Sequence, residues 1–161
     1  MHSSLIGAAG VYFVAARLNA RGFNCAPTFG NVPSVDILVS NIDGSLLLSL
    51  QVKTTIFGLR HRGRGEDKRP HHYEWDIGWK SALLNKPSLF FALVDLKDFS
   101  ELPDVFVVPS NIIAGYFAAG PEGWPRARYH ETVEKLDAYK NNWDLIDHLL
   151  TPEKITISTQ D

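Results

Sequence analysis

The sequence predicts an α/β sandwich built on a mixed central sheet. Three observations carry that expectation. Near the N-terminus, apolar residues recur at helical spacing over residues 5–21. Residues 35–55 read as a β-hairpin, with aliphatic and β-branched arms on either side of an Asn/Asp/Gly turn. Residues 88–96 and 104–108 are apolar without alternation, the pattern of strands buried on both faces.

Ser3 and Ser4 are suited to cap the first helix, in which Leu5, Ala8, Ala9, Tyr12, Phe13, Ala16 and Leu18 form a broad apolar face. Gly7 and Gly10 imply close packing or approach to a ligand, and Gly22 supplies the C-cap. Residues 23–29 read as a short strand, and Gly30-Asn31-Val32-Pro33 as a loop into the hairpin. The hairpin arms are residues 35–39 and 46–55, turning at Asn41-Ile42-Asp43-Gly44. Residues 56–73 are glycine-rich and basic and read as a loop, followed by an aromatic and acidic stretch to Trp79. A short helix over residues 81–85 stops before Pro87. The two buried strands come next, separated by a turn at residues 98–103. Ser110 is expected to cap a helix over residues 111–119, and Asn142 one over residues 143–150. Residues 126–140 are ambiguous. Trp75, Trp79, Trp124 and Trp143 read as packing residues.

With 161 residues the chain suits one domain, expected over residues 1–150, with a polar tail at 151–161 in which Ile155 and Ile157 could add an edge strand. The net charge of −2 argues against binding nucleic acid by bulk charge, so a phosphate-binding surface must be a local patch. Cys25 is the single cysteine, which excludes an intrachain disulfide and a cysteine-based zinc site. No apolar run reaches about 18 residues and no signal peptide is recognised, so no membrane association and a cytoplasmic location are expected.

The polar residues of the hairpin carry the chemistry. Gln51 and Lys53 are two apart and project to one face of a strand. An antiparallel return brings Asp36 beside them. The Asp36 carboxylate, the Gln51 amide oxygen and the backbone carbonyl of Val52 are hard oxygen donors suited to a divalent cation. Lys53 is placed to orient a water or to stabilise charge on a phosphate. Polar residues on the wetter face of a strand would give the same letters. Beyond the hairpin, Arg60, Arg62, Arg64, Lys68 and Arg69 account for five of the 16 Lys/Arg residues. They read either as a solvated loop or as contacts to a nucleic-acid backbone. His61, His71 and His72 lack zinc-motif spacing.

Together these residues resemble the PD-(D/E)XK nuclease-like superfamily, which includes type II restriction enzymes, Holliday-junction resolvases and Mrr-like proteins. The resemblance spans roughly the first 110 residues. It consists of a helix opened by Gly7-Ala8-Ala9-Gly10 and ended by Arg21-Gly22-Phe23. Then follow Gly30-Asn31-Val32-Pro33-Ser34-Val35-Asp36-Ile37-Leu38-Val39, the return Leu50-Gln51-Val52-Lys53-Thr54-Thr55, and a later apolar strand. The family's aspartate matches Asp36, and its (D/E)XK triplet matches Gln51-Val52-Lys53, with glutamine as a familiar variant at the first position. The resemblance implies a restriction-endonuclease-like three-layer α/β/α fold, Mg²⁺ or Mn²⁺ as cofactor, and DNA as partner. It further implies a homodimer where two strands are cut, and Asp36, Gln51 and Lys53 as catalytic residues of an endonuclease. Related sequences often carry a glutamate directly after the Gly-x-x-Gly pattern. Here that position is Val11, and the first helix contains no acidic residue. Three outcomes are open. Substrate phosphate and waters complete the site; or Asp43, Glu66, Asp67, Glu74 or Asp76 replaces the missing acid; or catalysis is lost and the fold serves as a DNA- or protein-binding module.

Overall fold

The computed structural model describes residues 2–29, 34–121 and 123–151. Helix α1 (Ser3–Ala20) starts directly after His2, which caps it through the backbone alone. Ser3 and Ser4 therefore lie inside the first turn rather than capping it, and Ser4 Oγ bonds His2 Nδ1 at 2.8 Å. Gly22, at φ +90°, closes the other end as expected. Its N–H reaches Asn19 O at 3.0 Å and the Phe23 N–H reaches Leu18 O at 3.2 Å. The buried stripe of α1 is Gly10, Val14, Ala15 and Leu18, narrower than the sequence suggested. Leu5 and Tyr12 are 62% and 65% exposed because only one side of the helix meets the sheet.

The main sheet has the order β1 (Asn24–Pro27), β2 (Ile37–Ser40), β3 (Leu47–Thr55), β6 (Leu89–Asp95), β7 (Asp104–Pro109). Only β3 and β6 run parallel; the other neighbours are antiparallel. Strand β6 is buried at every position, as its unbroken apolar run predicts. Its Phe90, Ala92 and Val94 face one core with Leu48, Leu50 and Val52 of β3, α1, and Ile146 and Leu150 of α5 (Asp144–Leu150). Its Leu89, Phe91 and Leu93 face a second core. There they meet α2 (Trp79–Ala82), α3 (Ser110–Ala118) and α4 (Val133–Leu136).

A second sheet joins that layer, with the order β4 (Leu59–Arg62), β5 (Arg69–Asp76), β8 (Arg128–Thr132). This corrects two expectations. The basic stretch is a β-hairpin rather than an open loop, and the ambiguous residues 126–140 contain β8 and α4. Tyr73 and Trp75 of β5 and Tyr129 of β8 anchor the small sheet on the second core. Ser110 and Asn142 also act differently from expectation. Ser110 Oγ bonds the backbone of Lys86, accepting from N at 2.9 Å and donating to O at 2.8 Å. Asn142 Nδ2 donates to Ala138 O at 2.9 Å, and α5 is capped at Trp143. Trp75 and Trp143 are buried, whereas Trp79 is 44% exposed, its ring edge-on to Phe117. The 30–33 loop and the Ile155/Ile157 strand expectation lie outside the described residues. No described helix is long and apolar enough to cross a membrane.

Gly10 sets the distance between α1 and β3. A Cβ there would fall inside the Thr54 side chain. Gly10→Ala gains up to about 1 kcal/mol of helix propensity. Overpacking costs about 1–3 kcal/mol. A net loss of stability in urea titration is expected, recovered in part when Thr54 is also shortened to alanine, which removes Oγ1 and Cγ2 but leaves the close Cβ.

Candidate active site

Asp36 directly precedes β2. The register pairs Ile37 with Leu50, so Asp36 lies across from Gln51. The loop before it is pinned from β1. Thr28 N–H donates to Asp36 O at 2.9 Å and Thr28 Oγ1 to Val35 O at 2.7 Å. Asp36 N–H donates to Leu50 O at 2.8 Å, the last backbone rung of the pair. Beyond it the chain leaves β3, and the Asp36 carboxylate takes the next rung itself: Oδ2 accepts the Val52 N–H at 2.7 Å. In a strand, the N–H and C=O of one residue point to the same side. The Val52 carbonyl therefore faces the edge where the Asp36 carboxylate sits.

Gln51 and Lys53 alternate with Leu50 and Val52, which pack toward α1, so both project to the opposite face of the sheet. Gln51 is 6% exposed, and its Oε1 is enclosed without a donor from any described residue. An unmet buried acceptor costs about 1–3 kcal/mol, so such an atom calls for a functional account. Burial pushes the Lys53 ammonium below the ordinary lysine pKa, against the opposing pull of Asp36 and then Asp76. The structure thus brings Asp36, Gln51 and Lys53 to one stretch of β3, as the hairpin pattern predicted.

The donor set consists of carboxylate, amide and backbone carbonyl oxygens. Those are hard ligands of the kind Mg²⁺ or Mn²⁺ takes, and Gln51 Oε1 is a buried acceptor with no donor among the described residues. No group of three or more His, Cys, Asp or Glu side chains among the described residues is arranged to hold a metal. Any cation here would therefore lean on the amide and carbonyl oxygens. Val11 packs against the α1-side core, on the other face of β3 from Gln51 and Lys53.

Of the acids considered as replacements, Asp43 accepts from Ser45 N at 2.9 Å and Ser45 Oγ at 2.7 Å in the β2–β3 turn. Glu66 and Asp67 lie in the exposed tip of the β4–β5 hairpin. Glu74 accepts two hydrogen bonds from Arg60, at 2.8 and 2.6 Å, with Arg128 at 3.9 Å. Burial raises its pKa, but these arginines outweigh that and leave it below the usual value. Asp76 alone among them acts on Lys53.

The basic residues divide. Arg60 is engaged with Glu74, while Arg62, Arg64, Lys68 and Arg69 are exposed on the hairpin, with Arg62 directly opposite Arg69. Arg128 joins the same small sheet through β8. Sequence reasoning missed it, because its place depends on a pairing more than 50 residues distant in the chain.

The architecture is a mixed α/β fold with a five-stranded mixed sheet and flanking helices, consistent with a nuclease-like α/β fold. No family model and no curated protein sequence matches the chain. Among solved structures it is similar to a bacterial homing endonuclease, I-Ssp6803I, with a TM-score of 0.55 and 16% identity. The match covers 90% of this chain and 91% of that one. At that identity the likeness speaks for the fold.

Proposed function

We propose that the protein is a metal-dependent nuclease that hydrolyses phosphodiester bonds in DNA. One observation carries the reading: Asp36, the unpaired Gln51 Oε1 and the desolvated Lys53 lie where β2 leaves β3. Asp36, Gln51 and the Val52 carbonyl would hold Mg²⁺ or Mn²⁺. When bound, such an ion polarises a phosphate and lowers the pKa of an attacking water. Lys53 contributes a cation in a partly desolvated site, where it stabilises negative charge on phosphate oxygens more strongly than it would in water. Arg62, Arg64, Lys68 and Arg69 are unencumbered and suit sequence-independent contacts to the DNA backbone. Similarity to a homing endonuclease supports DNA as the substrate.

Val11 favours a second reading, a nuclease fold that binds DNA or a protein without cutting. The two part on one experiment. Supercoiled and linear duplex DNA are incubated with the protein in Mg²⁺ or Mn²⁺, and again with excess chelator. Nicked or linear product that disappears with chelator supports the nuclease. No product from either DNA form in either metal, with the protein folded, overturns it.

A further inference from the structure

We propose that a cleft between the two sheets is a binding site for a small organic cation, an amine or amidinium carried on an apolar body. The cleft has a volume of about 530 Å³, which suits a small molecule rather than a bare ion. It opens where β6 ends and β7 begins, and Asp36, Gln51 and Lys53 take no part in its lining. Phe57, Leu59 of β4 and Tyr73 of β5 supply its apolar surface.

Charge decides what the cleft would hold. Asp95 and Asp104 are register partners across β6 and β7, and both line it while being only 3% and 6% exposed. Asp104 Oδ2 is met by Lys97 Nζ at 3.1 Å and Lys140 Nζ at 3.0 Å, and Lys97 Nζ also lies 3.3 Å from Glu101. Those two cations and two acids cancel, which leaves no free ammonium for an anion. Asp95 is different. Its Oδ1 accepts the Gly58 N–H at 3.0 Å and the Lys97 N–H at 3.2 Å. Among the described residues nothing donates to Oδ2, and no ion pair includes this carboxylate. A buried carboxylate with an open oxygen favours a cation beside it. The Tyr73 hydroxyl, on a residue 6% exposed, is likewise without a hydrogen bond to any described residue. Aromatic rings next to a carboxylate attract a cation with an apolar body more than a fully hydrated one. Asp98 adds a second uncommitted negative charge at the exposed mouth. It is carried there by an unusual backbone: Lys97, Asp98 and Phe99 have φ of +50°, +54° and +59°, which residues with a Cβ rarely adopt. The Asp98 N–H to Ile56 O, at 3.0 Å, and Ser100 Oγ to Lys97 O, at 2.7 Å, hold that turn.

The test is an NMR titration of the full chain with benzamidine, its neutral analogue benzamide and the anion benzoate. His61 also lines the cleft, so the titration is run at about pH 8, where an ordinary histidine is neutral. Benzamidine should bind saturably, shift the resonances of Phe57, Leu59 and Tyr73, and bind at least about 10-fold more tightly than benzamide or benzoate. Asp95→Asn keeps an oxygen for the Gly58 and Lys97 N–H groups and places a donor where Oδ2 was. It should weaken benzamidine about 10-fold or more. Asp98→Asn, at an exposed position that leaves the fold intact, should weaken it by a smaller factor. No binding of benzamidine, equal binding of benzamide or benzoate, or unchanged binding to folded Asp95→Asn would each overturn the proposal. The comparison of the three probes on the wild type needs no variant and decides the matter if Asp95→Asn does not fold.

Discussion

Asp36→Asn is expected to leave the hairpin folded and to lower DNA cleavage by about 10²-fold or more. The substitution separates two jobs of one side chain. Asp36 Oδ2 accepts the Val52 N–H where β2 has left β3, and an asparagine oxygen can still accept that hydrogen bond, more weakly than a carboxylate does. What asparagine cannot supply is the negative charge that a hard cation requires. Asp36→Ala removes both, and the stranded Val52 N–H should add a stability loss of about 1–3 kcal/mol. Single-turnover cleavage and urea unfolding, measured on both variants, distinguish the contributions. Equal cleavage by Asp36→Asn and wild type would show that the carboxylate serves only the sheet.

Lys53→Met should reduce cleavage by about 10²- to 10³-fold while the melting temperature stays level or rises. Removing a charge ordinarily gives no such gain. Here burial lowers the Lys53 pKa more than Asp36 and Asp76 raise it, so the folded state disfavours the ammonium. The sign of the pH dependence follows. Below the folded pKa both states are protonated and the penalty is complete. Between the folded pKa and the ordinary lysine value of 10.5, the unfolded chain holds the extra proton, so wild-type stability rises with pH. The advantage of Lys53→Met should therefore be greatest near neutral pH and shrink as the solution becomes alkaline. Melting curves across that range check it, and a variant that melts well below wild type at neutral pH would contradict the desolvation account.

The hairpin was legible because its information is local. A period of two fixes which of Asp36, Gln51 and Lys53 share a face, and Asn/Asp/Gly marks the turn. Strand β6 was legible for a similar reason, since seven consecutive buried positions leave no polar alternation. The small sheet was not. In β4, Arg60, His61 and Arg62 are exposed, so its strand character comes from its partner β5 rather than from its own pattern. Ser110 and Asn142 have the chemistry of caps, but backbone groups elsewhere satisfy them, and nothing in the neighbouring letters foretells that competition.

The facing pair Arg62 and Arg69 has a further effect on how the molecule responds to ionic strength. Like charges directly across a two-stranded ribbon push it apart, and dissolved ions weaken that push. Phosphates drawn between the two guanidinium groups would relieve it more effectively, but the same ions compete for that attraction. Raising salt should thus firm up the free ribbon while loosening its grip on a polyanion, two opposite trends from a single rung.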